Sequence, residues 1–183
     1  MDYRDIDLGL SIHWADRNIG STTPQDPGRH YSWGDNMPWR SEGSYYAVFN
    51  NMPDNICGNA QFDTASIETG GKFRMPTPGE IKELVEKCNW TWIAAGPDDM
   101  LSGYDICGPN GNHIFLPAAG SGSGSVDGET FVDDYDIYGF YWSGQNCTDN
   151  RMAHCLFFKS DTTITLDSEW CSRGLSIRPV LNK

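Results

Sequence analysis

The chain has 183 residues, 38 % hydrophobic and 13 % aromatic, enough for one domain with a sizeable core. Thirteen basic against 25 acidic residues leave a net charge of −12. That balance excludes a basic stripe able to displace counterions from nucleic acid, and it disfavours docking on anionic lipid. No stretch is long and apolar enough to span a bilayer, so direct membrane insertion is not expected. Seven Trp, eight Tyr, eight Phe and 20 Gly suit short strands joined by long loops, held down by a few large flat side chains.

Asp7-Leu8-Gly9-Leu10 and Ile12-His13-Trp14-Ala15 read as an opening strand pair. Residues 21–30 form a loop, and Tyr31-Ser32-Trp33-Gly34 a short strand whose Trp enters the core. Residues 35–70 lack periodicity and are rich in Asn, Gly, Pro and Ser, which predicts a long irregular insertion. A clear helix follows, about 77–89. Thr77 suits the N-cap, Pro78 the first helical position and Glu80 the third, completing a capping box. Ile81, Leu84, Val85 and Cys88 then form one apolar stripe.

Trp90-Thr91-Trp92-Ile93 is a strand by composition, and Gly103–Cys107 with Asn112–Leu116 flank the turn Gly108-Pro109-Asn110-Gly111 as a hairpin. Ser121–Ser125, with alternating Ser and Gly, predicts a flexible stretch that opens a loop reaching Tyr138. From Gly139 the chain reads as a strand-rich sheet: Tyr141-Trp142 enters, Ala153–Phe158 and Thr163–Asp167 pair around Lys159-Ser160-Asp161, and Leu175–Val180 closes.

Period-two alternation sorts the faces of these strands. Leu156, Phe158, Ile164, Leu166, Leu175 and Ile177 point inward, with His154 sharing their parity. Cys155, Phe157, Thr163, Thr165 and Asp167 point outward and run into Ser168-Glu169-Trp170-Cys171-Ser172-Arg173. The other edge carries Asn146-Cys147-Thr148-Asp149-Asn150. An inert face favours β-branched pairs or solvating charges, whereas exposed aromatics beside Arg are the residues that dominate binding hot spots. The candidate ligand contacts are Asn146, Asp149, Asn150, Cys155, Phe157, Thr163, Thr165, Asp167, Glu169, Trp170, Ser172 and Arg173. Phe157 and Trp170 would supply desolvated area; Arg173, Asp167, Glu169 and Asp149 would supply direction.

Four phrases fall in a fixed order: Tyr31-Ser32-Trp33-Gly34-Asp35, Ile114-Phe115-Leu116-Pro117-Ala118-Ala119-Gly120, Tyr141-Trp142-Ser143, and Ser176-Ile177-Arg178-Pro179-Val180. From about Asp7 to Val180 this series resembles the Fibrobacter succinogenes major paralogous domain, a bacterial surface module related to the C-type-lectin-like fold. The resemblance implies a single α+β domain over 1–183, C-type-lectin-like, with short antiparallel strands, one clear helix and long ordered loops. It implies a non-catalytic recognition module for a protein or glycan ligand at a cell surface, or on a phage virion, with no cofactor. The alternative is a structural or adhesive module with no dedicated ligand face. Some domains of this family, and other C-type-lectin-like proteins, are targets of diversity-generating retroelements, which rewrite codons near the carboxy terminus and leave the scaffold. They are also usually exported; Met1–Asp5 shows no signal-peptide pattern.

Six cysteines (Cys57, Cys88, Cys107, Cys147, Cys155 and Cys171) fit no paired zinc spacing. The family disulfide to Cys88 lacks its partner, because Arg17 stands where relatives carry Cys, so mostly free thiols are expected. Cys147 and Cys155 invite comparison with formylglycine-generating enzymes of the same fold group, but an outward Cys155 would not converge with Cys147 in a cleft. No nucleophile elbow accompanies His13, His30, His113 or His154. Asp127, Glu129, Asp133, Asp134 and Asp136 offer calcium-type oxygen ligands without the Gly and terminal Glu of an EF-hand, which reads as a solvated acidic loop.

Overall fold

The computed structural model describes residues 2–39, 52–96, 100–126, 129–148 and 151–182. It is an α+β architecture dominated by antiparallel sheets, with two short helices among the described residues. Strands β1 (Asp5–Ile6), β2 (Trp14–Ala15), β3 (Phe73–Arg74) and β12 (Val180–Leu181) form a four-stranded sheet in the order β1-β2-β12-β3. The opening pair therefore starts two residues earlier than the sequence suggests. Asp7 explains why: its carboxylate accepts from the Gly9 amide at 2.7 Å, and Gly9 takes φ +76°, so residues 7–10 turn instead of extending.

Helix α1 (Thr64–Glu68) lies inside the stretch read as irregular. It has too few residues for an apolar stripe and is made by its cap instead. The buried Asp63 carboxylate accepts from the amides of Gly58 (2.7 Å), Met75 (2.9 Å) and Ser66 (3.0 Å). Helix α2 (Pro78–Lys87) is the anticipated one, with Cys88 as its C-cap. Its capping box is complete: Glu80 N–H donates to Thr77 Oγ1 at 3.2 Å and Thr77 N–H to Glu80 Oε2 at 2.8 Å. Arg74 forks onto the same carboxylate at 2.9 and 2.6 Å. Ile81 and Leu84 face the core.

Strand β4 (Asn89–Ile93) pairs with the hairpin of β5 (Gly103–Cys107) and β6 (His113–Pro117). The anticipated hairpin is thus present with its turn at 108–111. The Ser-Gly stretch is not flexible loop: β7 (Ser121–Val126) pairs with β8 (Glu129–Asp133). Gly122 answers a packing need. Trp39 lies against the backbone where Gly122 and Gly174 exchange hydrogen bonds of 2.7 and 3.0 Å. A Cβ on Gly122 would meet the indole at 2.6 Å, and one on Gly174 at 2.5 Å.

The remaining sheet runs β11 (Ile164–Trp170), β10 (Met152–Lys159), β9 (Tyr138–Asn146). Buried side chains lie on both of its faces. Tyr141, Leu156 and Phe158 join Trp14, Leu84, Tyr104 and Leu116 on one face. Trp142, Ala153 and Cys155 join Tyr31, Trp33, Cys171 and Leu175 on the other. The indoles in this second group are anchored as well as buried. Trp33 donates to Ser143 O and Trp142 to Tyr31 O, each at 2.8 Å. Cys57, Cys88, Cys107 and Cys155 are free thiols.

Arg178 is the unusual member of the interior, 1 % exposed. It donates to Asn18 Oδ1 (2.8 Å), Ala15 O (3.2 Å) and Phe115 O (2.7 Å). Burial pulls the guanidinium down to about 10, still charged at neutral pH. One side chain thereby ties the β2 strand, the β6 strand and the chain's last segment together.

Candidate functional site

The register of the three-stranded sheet fixes which candidate residues share a surface. Cys155 lies opposite Asp167 and Trp142, and Phe157 opposite Thr165 and Phe140. Lys159 lies opposite Tyr138, and Ala153 opposite Glu169. The parity argument holds for Leu156 and Phe158, which are buried, for Ile164 and Leu166, which are half-buried against the same cluster, and for Thr165 and Asp167, which are exposed.

It fails at Cys155. That thiol is 1 % exposed, and burial pushes its pKa well up, so it belongs to the packed interior and not to an exposed contact row. Alternation tells which face a side chain joins, not whether another segment covers that face. Here the Tyr31–Trp33 segment does so: Tyr31 N–H bonds Leu175 O at 2.9 Å and Trp33 N–H bonds Cys171 O at 3.0 Å, roofing Trp142 and Cys155. His154, placed inward by parity with Leu156, is half-buried, at the point where the β9–β10 register shifts between Ala153 and Cys155.

Past this roof the same face opens. Phe157 sits 5.0 Å from Phe140 and 5.6 Å from Tyr138, centroid to centroid, and Tyr138 lies 6.4 Å from Phe140. All three rings are half-buried. Tyr138 and Phe140 are functional candidates that sequence reasoning missed, although their spacing with Trp142 is period two and could have been read. Trp170, 48 % exposed, stands at the end of β11.

The remaining candidates divide. Thr163 is half-exposed in the turn before β11, with its amide on Asp161 Oδ1 at 3.0 Å. Asp167 Oδ1 accepts from the Ser168 amide at 2.8 Å, and Glu169 Oε1 from the Trp170 amide at 2.7 Å. Neither carboxylate forms an ion pair with a described residue. Three others are bound into the scaffold. Asn146 bonds the Asp54 side chain at 3.2 Å and the Asp54 carbonyl at 2.9 Å. The Ser172 carbonyl accepts from Trp39 Nε1 at 3.0 Å. Arg173 turns to Ser121 Oγ at 2.5 Å and so faces β7, not the open row. Asp149 and Asn150 lie outside the described residues.

The acidic stretch 127–136 holds no set of three or more metal-ligating side chains among the described residues. Asp136 instead accepts from the Ser102 amide at 2.6 Å, and Asp134 and Asp136 take left-handed φ of 58° and 64°. Glu129 belongs to β8, and Asp127 lies outside the described residues. His113 is held by Asp105 at 2.7 Å across its hairpin. No helix among the described residues is long and apolar enough to cross a membrane.

The chain matches no family model, no curated protein and no solved structure.

Proposed function

We propose that this chain is a non-catalytic ligand-recognition module of C-type-lectin-like type, acting at a cell or virion surface. The observation that carries this reading is the open half of the β9–β10–β11 face. There Tyr138, Phe140 and Phe157 form a ring cluster beside Thr165; Asp167 and Glu169 continue along β11 opposite the covered Cys155 and Ala153, and exposed Trp170, opposite Met152, ends the strand on the other parity. The opposite face packs into the interior, so the floor is rigid while one side stays wet. Rigid aromatics, with carboxylates further along the strand that form no ion pair with a described residue, suit a protein or glycan ligand, because apolar area gives affinity and charge gives direction. The ordered sequence phrases that resemble the bacterial surface domain support the same reading, as does an α+β scaffold with few helices. The chemically mixed outward residues of β10 and β11 fit a face diversified by a retroelement; a reverse-transcriptase gene and a template repeat beside the coding sequence are the expected accompaniment.

The test is alanine replacement of Phe157 and Trp170, read on protein and glycan arrays. Each variant is expected to weaken capture by about tenfold or more with its unfolding temperature nearly unchanged. An unchanged capture profile in folded variants points instead to a structural or adhesive module with an inert face.

A further inference from the structure

Strand β11 is an edge. In the order β11-β10-β9 it has a neighbour on one side only. No described residue bridges its outer side along Ile164–Trp170, apart from the Arg173 amide on Trp170 O at 2.8 Å. The amides of Ser168 and Trp170 point away from β10 and are occupied by the carboxylates of the residues before them. Open edges are templates for strand addition, and proteins usually blunt them with charge, proline or a covering loop. Here the blunting is two removable carboxylates.

Resting on the recognition reading above, we propose that this edge accepts an extended, lysine- or arginine-bearing segment of a partner protein as a fourth strand. Its carbonyls would take the Ser168 and Trp170 amides, and its cationic side chains would draw Asp167 and Glu169 off those amides. Charge selects the occupant. The chain carries −12 overall, and Asp167 and Glu169 have no described cationic partner. Lys159, at the open end of the sheet, is held by Asp161 at 2.9 Å. A second copy is disfavoured by the same charges: an antiparallel pairing of β11 with itself, centred on its middle residue, sets Asp167 against Asp167.

The probe is a blocked seven-residue peptide alternating Lys and Thr, titrated against the intact chain by NMR. Its counterparts carry Glu for Lys, or N-methyl groups on alternate backbone amides. The lysine peptide is expected to bind and to shift the Ser168 and Trp170 amides, and the glutamate peptide to leave them unmoved. N-methylation, Ser168→Pro and the pair Asp167→Asn with Glu169→Gln are each expected to weaken binding by about tenfold. Ser168→Pro removes an outward donor without touching the ladder to β10; should it unfold, the methylated peptide still decides.

Binding lost in Phe157→Ala but indifferent to methylation overturns strand addition while leaving the recognition face intact. No binding of the lysine peptide overturns the proposal, and array capture by Phe157→Ala then judges the face separately. A dimer in sedimentation that Ser168→Pro dissolves puts a second copy on the edge and overturns it too.

Discussion

Arg178 shows how a single charged side chain can organise an interior. Its three hydrogen bonds go to neutral oxygens on two segments, Ala15–Asn18 and the β6 strand. No described carboxylate bonds it, so the desolvation of the charge is offset by those oxygens and, from a distance, by the charge of Asp16. Removing the guanidinium leaves Asn18 Oδ1 and two carbonyls without their donor. Arg178→Met is expected to lower stability by about 3 kcal/mol in urea unfolding, and Arg178→Lys to recover only part of it, because an ammonium cannot reproduce the planar fork. Glu80 is the second informative residue. Burial alone would raise its carboxyl, but hydrogen bonds from Arg74 and Thr77 outweigh burial and hold it below its ordinary value of 4.5. A depressed carboxylate contributes stability that is complete above that ordinary value and lost as pH falls through the folded one. Glu80→Gln should therefore flatten the acid limb of stability below pH 4.5 and cost stability at pH 7.

At the scale of elements, legibility followed local chemistry. Helix α2 could be read because Thr77, Pro78 and Glu80 are its own start signal and Ile81 and Leu84 its own stripe. The β5–β6 hairpin carried its turn with it. Helix α1 could not be read, since the partners of Asp63 include Met75, which is remote in sequence. Strand β7 was misread for a related reason. Gly122 looks like freedom in the sequence, yet it is fixed by an indole arriving from residue 39. The candidate site followed the same division. The sequence sorted Leu156 from Phe157 by alternation, while the covering of Cys155 depends on Tyr31 and Trp33, more than 100 residues upstream. Gly174→Ala tests this account: its Cβ would meet Trp39 at 2.5 Å. The expected outcome is a loss of about 1–3 kcal/mol, with a shift in Trp fluorescence, and partial rescue by Trp39→Leu.

The described residues are arranged around one sheet with buried clusters on both faces, and the Phe157 end of one face stays wet. Phe158, on the other face, lies 5.3 Å from Tyr104 and 5.8 Å from Tyr141, ring to ring, so it joins the hairpin layer to the central sheet. The four-stranded sheet has a further consequence. Its inner strand β12, Val180–Leu181, sits between β2 and β3, with Val180 opposite both Trp14 and Arg74. Strands β2 and β3 are thus joined through a strand more than 100 residues later in the sequence, and closure of so long a loop is slow. Until Val180 docks, Trp14 lacks its neighbour on that side, and the folding protein depends on whatever shields its aromatic side chains from other chains.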